Sequence, residues 1–194
     1  MLSVAATFAQ GKEKTTSSFP RIWLRVGYCT STVHGANFDG KWKSGVNVGI
    51  VADCAMSESW LLRPGVHFTM KGFQKGSAPD INYKSEFNYI EVPIPIVYQK
   101  SIGQTRKFEL QTGPYFSYGV SGKSDKRTAS RSSFDYYNYY NTFDNFKRFD
   151  WGINAGAGVI ISNIYIGASY DFGFVSIIRH ALNHCFMVNV GYSF

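Results

Sequence analysis

The residues that offer chemistry are few. The chain has four histidines, His34, His67, His180 and His184. Nucleophilic catalysis needs a hydroxyl or thiol beside a base that an acid orients. His180 and His184 stand four apart in RHALNHC, a spacing that would let one helical turn present two imidazoles to a metal. No Asp or Glu lies near them to complete a ligand set, so the segment reads as a solvated loop. His67, between Arg63 and Lys71, reads as part of a polar interior. The cysteines Cys29, Cys54 and Cys185 lack any CxxC spacing, which speaks against a zinc site or a dithiol redox motif. The expectation is a chain that is not an enzyme, with no catalytic, cofactor-binding or metal-binding residues.

A second set of ionisable residues is more informative. Asp53, Glu91, Glu109, Asp150 and Asp171 would suit acid–base pairs, but Arg21, Arg25, Arg63, Lys71 and Arg148 match them in number. Matched signs favour a closed, ion-paired interior over a pair of catalytic carboxylates. Such an interior must be built by elements that point every second residue inward, which means strands.

Strands are what the chain offers. Apolar and polar residues alternate in segments of roughly ten residues, the period of a strand with unlike faces. Phe149, Trp151, Ile153, Ala155, Ala157 and Val159 share one face, with Arg148, Asp150, Gly152, Asn154, Gly156 and Gly158 opposite. Ile164, Ile166, Ala168, Tyr170, Phe172 and Phe174 repeat the pattern, as do Phe186, Val188, Val190, Tyr192 and Phe194. Five earlier segments fit it, anchored on Ile22–Tyr28, Val46–Met56, Leu62–Met70, Ile90–Tyr98 and Phe108–Val120. That gives eight strands, the even number that bacterial single-chain barrels use. The prolines of EVPIPIVY interrupt the fourth, where each removes a ladder hydrogen bond; a bulge or a place near the rim would accommodate them.

The charges decide which face is inside. None of the apolar-face positions is Asp, Glu, Lys or Arg; the charges fall on the opposite faces. A lipid-facing Arg or Lys at mid-bilayer costs roughly 2–4 kcal/mol, whereas a water-soluble ligand-carrying barrel needs charge outside. The expected architecture is therefore all-β: an eight-stranded antiparallel up-and-down transmembrane β-barrel over residues 21–194. Inward glycines such as Gly49, Gly113, Gly158 and Gly167 would relieve crowding, since an eight-stranded barrel has room for side chains but not for a wide channel. Short connections near 57–59, 100–106 and 161–163 alternate with long ones near 30–43, 72–83, 121–147 and 175–184, the asymmetry of periplasmic turns and outer loops. The longest carries DYYNYYNTFDNF, read either as a sticky surface loop or as a linker.

The remaining composition adds context. There is no apolar run of about 18 residues, so no helix crosses a membrane. The net charge of +7 is scattered rather than gathered on a basic face, which disfavours nucleic acid. It leaves two readings, solvation of loops and contact with anionic lipid or lipopolysaccharide phosphates. Residues 1–9, MLSVAATFA, resemble the end of a secretory signal peptide, and residues 10–20 form a polar tail. In a closed barrel the first and last strands are neighbours, so Cys29 and Cys185, both inward, are candidates for a cross-strand disulfide. Cys54 would be a lipid-facing thiol.

LRPGVHFTMKG, IEVPIPIVY, TGPYFSYG, FDWGINAGAGV and the terminal NVGYSF, in this order and spacing, resemble the PorT-like outer-membrane β-barrel family within the wider OmpA/OmpX-like group. The resemblance implies an eight-stranded barrel in the bacterial outer membrane and, for some members, a part in protein secretion. Val190, Tyr192 and Phe194 look like the signal read by the barrel-assembly machinery, or like the last lipid-facing residues of a strand. Nothing resembles the His-Phe-Ser segment of the lipid A deacylases. The expected role is structural or surface-interactive through the outer loops. Alternatives are an accessory subunit of a secretion or assembly complex and, less favoured, a lipid A-modifying enzyme or a small porin. Expected partners are outer-membrane lipids and lipopolysaccharide, the assembly machinery and a membrane protein.

Overall fold

The computed structural model describes residues 20–35, 38–78, 81–128, 136–144, 147–176 and 181–194. The signal-like segment 1–9, most of the tail and His180 lie outside the described residues. The strands are β1 (Arg21–Gly35), β2 (Phe38–Asp39), β3 (Lys41–Ala55), β4 (Trp60–Leu62), β5 (Gly65–Ala78) and β6 (Ile81–Pro93). They continue as β7 (Ile96–Ser101), β8 (Arg106–Thr128), β9 (Tyr136–Asn141), β10 (Phe149–Ile161), β11 (Ile164–Gly173) and β12 (Ala181–Ser193).

Eight of them close a ring. Each of β1, β3, β5, β6, β8, β10, β11 and β12 pairs antiparallel with the next, and β12 pairs back onto β1 from Trp23↔Ser193 to Gly35↔Ala181. Closure removes the exposed ladder edges that hydrocarbon cannot solvate. β4 extends the β5 stave beyond a break at Arg63–Pro64, and β7 extends β6 beyond Ile94–Pro95. The two breaks face each other. The missing proline N–H groups need no acceptor, while the proline carbonyls are used: Arg63 N–H donates to Pro95 O at 2.9 Å and Ile94 N–H to Pro114 O at 2.9 Å. The EVPIPIVY prolines thus sit in a matched interruption of the wall, and the barrel stays closed around them.

The short connections lie together at one end. Residues 56–59, 102–105 and Ser162–Asn163 turn there, with Ser162 in the left-handed region at φ 56°. Arg21 donates to Ser162 O at 3.2 Å, Asn163 Oδ1 at 3.0 Å and Ser193 Oγ at 2.9 Å, tying the start of β1 to this turn and to the end of β12.

The other end departs from the sequence reading. The segments expected as long loops are largely strand. β1 and β3 run to Gly35 and from Lys41, β5 and β6 to Ala78 and from Ile81, and β8 to Thr128, with β9 paired against it. β12 begins at Ala181, so His184 belongs to a strand and not to a loop. The reason is visible in the burial. Up to about Met70 and Ile90 the outward residues are apolar. Beyond them, Phe73 and Phe87 point inward while Lys84 and Glu86 point out. The pattern inverts where the wall leaves hydrocarbon for water, and a reading tuned to one phase loses the strand there.

Candidate functional site

The lumen is filled in layers. Next to the short turns, Trp23, Val51, Ile160 and Tyr165 form an apolar floor. Tyr165 lies across Gly158 and Gly167, where a Cβ would come within 2.4 Å and 2.1 Å of its ring and hydroxyl. Only residues without side chains leave room for a tyrosine inside so narrow a barrel.

Above the floor sits the first ion cluster. Arg63 grips Glu109 with two N–H groups, at 2.5 and 2.9 Å, and also holds Asp53. Arg25 approaches Glu109 at 3.6 Å and stacks over the Tyr165 ring at 3.8 Å. Gln99 donates to Glu109 at 3.1 Å, and Trp23 Nε1 donates to Asp53 at 2.9 Å. The second cluster centres on Lys71, which donates to Glu91 at 2.5 Å and to Asp171 at 2.9 Å. Asn154 donates to Asp171 at 2.7 Å and accepts from Gln111 at 3.0 Å. Between the clusters lies a polar cavity of about 30 Å³, room for a water molecule. Its lining includes Arg25, His67, Gln111 and Asn189, each with a buried polar atom that has no protein partner. His67 is joined to Asn47 at 3.0 Å.

Two members expected in this network stand apart from it. Asp150 is buried and takes hydrogen bonds from Tyr115 and Asn183, both at 3.3 Å, in place of a cation. Arg148 donates to the Gly119 carbonyl at 3.1 Å and lies over the Phe143 ring at 4.7 Å, so a carbonyl and a ring hold it where a carboxylate was expected. The disulfide is also corrected: Cys29 and Cys185 are free thiols. The register pairs Cys29 with Met187 and Cys185 with Ser31, so the cysteines are diagonal neighbours and not direct partners. The Cys29 thiol donates to the Met70 carbonyl at 3.0 Å.

The mouth was invisible to the sequence reading. Val33, Phe73, Phe87, Tyr89 and Ala181 form an apolar ring inside the upper wall, and Phe143 closes it. Phe143 belongs to a 3₁₀ turn (Thr142–Asp144) within the segment read as a surface loop. Its ring meets Phe87 edge-on at 5.9 Å and Tyr89 at 6.1 Å, above Gly119, where a Cβ would come within 2.1 Å of it. Thr142 is pinned by Ser124, which donates to its hydroxyl at 3.0 Å, and by the Glu86 carbonyl at 3.1 Å. The signal available was one Phe among several in a Tyr/Asn-rich stretch, which periodicity cannot distinguish from its neighbours.

The outer wall matches expectation. Ile22, Leu24, Val26, Val48, Ile50, Val66, Leu110, Phe116, Ile153, Ile166, Val188 and Val190 are all exposed. Tyr192 and Phe194 face outward beside the short turns, their rings edge-on at 5.4 Å. Cys54 is half-buried. Toward the long hairpins, Glu86 lies outside the apolar belt. Partial burial pushes its carboxyl up, but Lys43 and Lys84 outweigh this and hold it below the usual carboxylate range. His184 packs tilted against Tyr170 at 6.0 Å and edge-on to Phe172 at 5.9 Å, in an aromatic band. Among the described residues no group of His, Cys, Asp and Glu is arranged to hold a metal.

The chain superposes on solved outer-membrane barrels. The outer membrane enzyme PagL superposes with a TM-score of 0.55 at 10% identity, over 90% of this chain and 99% of its own. The attachment invasion locus protein Ail of Yersinia pestis superposes with a TM-score of 0.48 at 20% identity, over 90% and 99%. OprG from Pseudomonas aeruginosa gives 0.47 at 11% identity, over 90% and 96%. No curated protein sequence matches the chain. The family model of the outer membrane protein beta-barrel domain matches residues 8–179. With its ring of eight staves and its apolar outer wall, the chain belongs to the outer membrane protein beta-barrel domain family and is an integral protein of the outer membrane.

Proposed function

We propose that this protein is a non-enzymatic outer-membrane barrel that acts as a structural or surface-interaction element through its outer hairpins. The observation that carries the reading is the layered lumen: an apolar floor, two ion clusters and a mouth stoppered by Phe143 stand across any continuous water path. A porin needs such a path. His67 is hydrogen-bonded to the Asn47 amide and His184 packs against Tyr170 and Phe172, contacts that tie both into the packing of the barrel. The resemblance to PorT-like barrels favours a finer reading, in which the protein is an accessory subunit of a secretion or assembly complex. Recognition of Val190, Tyr192 and Phe194 by the assembly machinery is part of the same proposal. Purification from native outer membranes in mild detergent, followed by mass spectrometry, separates the two readings. A monomer without companions supports a free-standing surface barrel, and one stoichiometric partner makes the protein a subunit.

A further inference from the structure

The outer wall is two-sided above its apolar belt. Across β10 and β11 the belt ends in aromatic residues: Phe149, Trp151, Tyr170, Phe172 and Phe174. Across β3, β6 and β8 it ends in lysines. Glu86 lies between the inward Ser85 and Phe87, so its side chain points outward, as does that of Lys84. Lys43 Nζ stands 3.2 Å and Lys84 Nζ 3.3 Å from the same Glu86 oxygen. Lys123 is the direct cross-strand partner of Glu86 and is exposed. Directly opposed residues share a face with their Cβ atoms roughly 5 Å apart. Two ammonium groups therefore hold one carboxylate, with Lys123 beside it on the next stave, and the three lysines leave a surplus of positive charge on the wall. Immediately toward the membrane, Asn88 donates to Ser121 at 2.9 Å with Met70 as its direct partner on β5, and below that level Ile90 and Tyr118 are exposed.

The cluster is built and not merely scattered. The Lys43 side chain is only 10% exposed. Its stem crosses Gly72, where a Cβ would come within 2.8 Å of the Lys43 Cδ, so the glycine clears the track along which the lysine lies. Glu86 then holds the Lys43 and Lys84 ammoniums side by side. A lysine binds phosphate as a point charge, and basic residues at the hydrocarbon boundary attract anionic headgroups. We propose that Lys43, Lys84 and Lys123 bind a phosphate group carried by a lipid of the outer leaflet, with Glu86 as the positioning residue. The inference rests on the outer-membrane orientation argued above, which places the long hairpins outside.

The test uses the full chain folded into phosphatidylcholine vesicles, with or without bisphosphorylated lipid A. Unfolding is followed by the change in gel mobility on heating, and lipid binding by native mass spectrometry. Lipid A is expected to raise the unfolding temperature of the wild type. The K43Q/K84Q/K123Q variant should fold in plain phosphatidylcholine but lose that rise and bind lipid A about a hundredfold more weakly. Lys147→Gln, a single lysine outside the cluster, should retain the rise. The proposal is overturned if wild type and triple variant respond alike, or if the wild type does not respond. A rise of the same size with inorganic phosphate alone overturns the lipid as the source. Absence of any heat-dependent mobility change in plain vesicles would instead overturn the barrel reading itself.

Discussion

At the scale of single residues, the charges of the two lumen clusters hold one another, so that each is a structural liability when its partner is removed. Glu109 is fully buried and engages Arg63, Arg25 and Gln99 together. Truncating it leaves Arg25 without its carboxylate and Arg63 with Asp53 alone, and breaking a buried pair in this way costs about 3–5 kcal/mol. Glu109→Ala is accordingly expected to destabilise the barrel by about that much, seen as a lower urea midpoint of folding in lipid vesicles, and an unchanged midpoint would show that the cluster is not stabilising. The cysteines allow a simpler measurement. Free Cys29, Cys54 and Cys185 predict three titratable thiols in denaturant without reductant; a count of one would restore the disulfide. Most of the ion network was legible from strand phase alone, because alternation assigns a face to every charge. Its exceptions, Asp150 and Arg148, were not legible. Phase says that a residue points inward, but not whether the level it reaches holds an opposite charge or a tyrosine and a phenylalanine.

At the scale of elements, the strand is defined by its surroundings as much as by its own residues. Within the bilayer the staves carry apolar residues outside and Arg25, Glu109 or Lys71 inside. Above the bilayer the same staves carry Phe73 and Phe87 inside and Lys84 and Glu86 outside, as a water-soluble barrel would. The sequence reading recovered eight staves and their membrane-facing residues but cut six of them short at the long-hairpin end, because it followed one phase of alternation through a boundary where the phase reverses. This inversion makes a directional prediction. Leu110, exposed on the apolar belt, should not tolerate a charge: Leu110→Arg is expected to destabilise the folded barrel by about 2–4 kcal/mol. Asn88→Arg, on the polar band, should cost no more than about 1 kcal/mol. Equal costs in vesicle folding titrations would mean that the hydrocarbon boundary does not lie between these levels.

At the scale of the whole molecule, three kinds of seal are stacked in one lumen: Trp23, Val51, Ile160 and Tyr165 at the floor, paired charges in the middle, and the aromatic mouth closed by Phe143. They are not equivalent. The floor and the ion clusters are formed by the staves themselves and can open only if the barrel does. Phe143 comes from a connection and rests above Gly119, so it is removable without breaking a ladder bond. Phe143→Ala should therefore unstopper the mouth while the lower layers still block passage. Planar-bilayer recordings are expected to show no steady conductance for either protein. The next groups beneath the mouth are the buried thiols of Cys29 and Cys185, which sit with Met187 in their own cluster. A membrane-impermeant maleimide added from the long-hairpin side should label them many-fold faster in Phe143→Ala than in the wild type, with Cys54 replaced by Ser in both. Unchanged labelling would place the barrier in the Phe73–Phe87–Tyr89 ring below, and steady conductance in the variant would show that the charged layers do not close the lumen on their own.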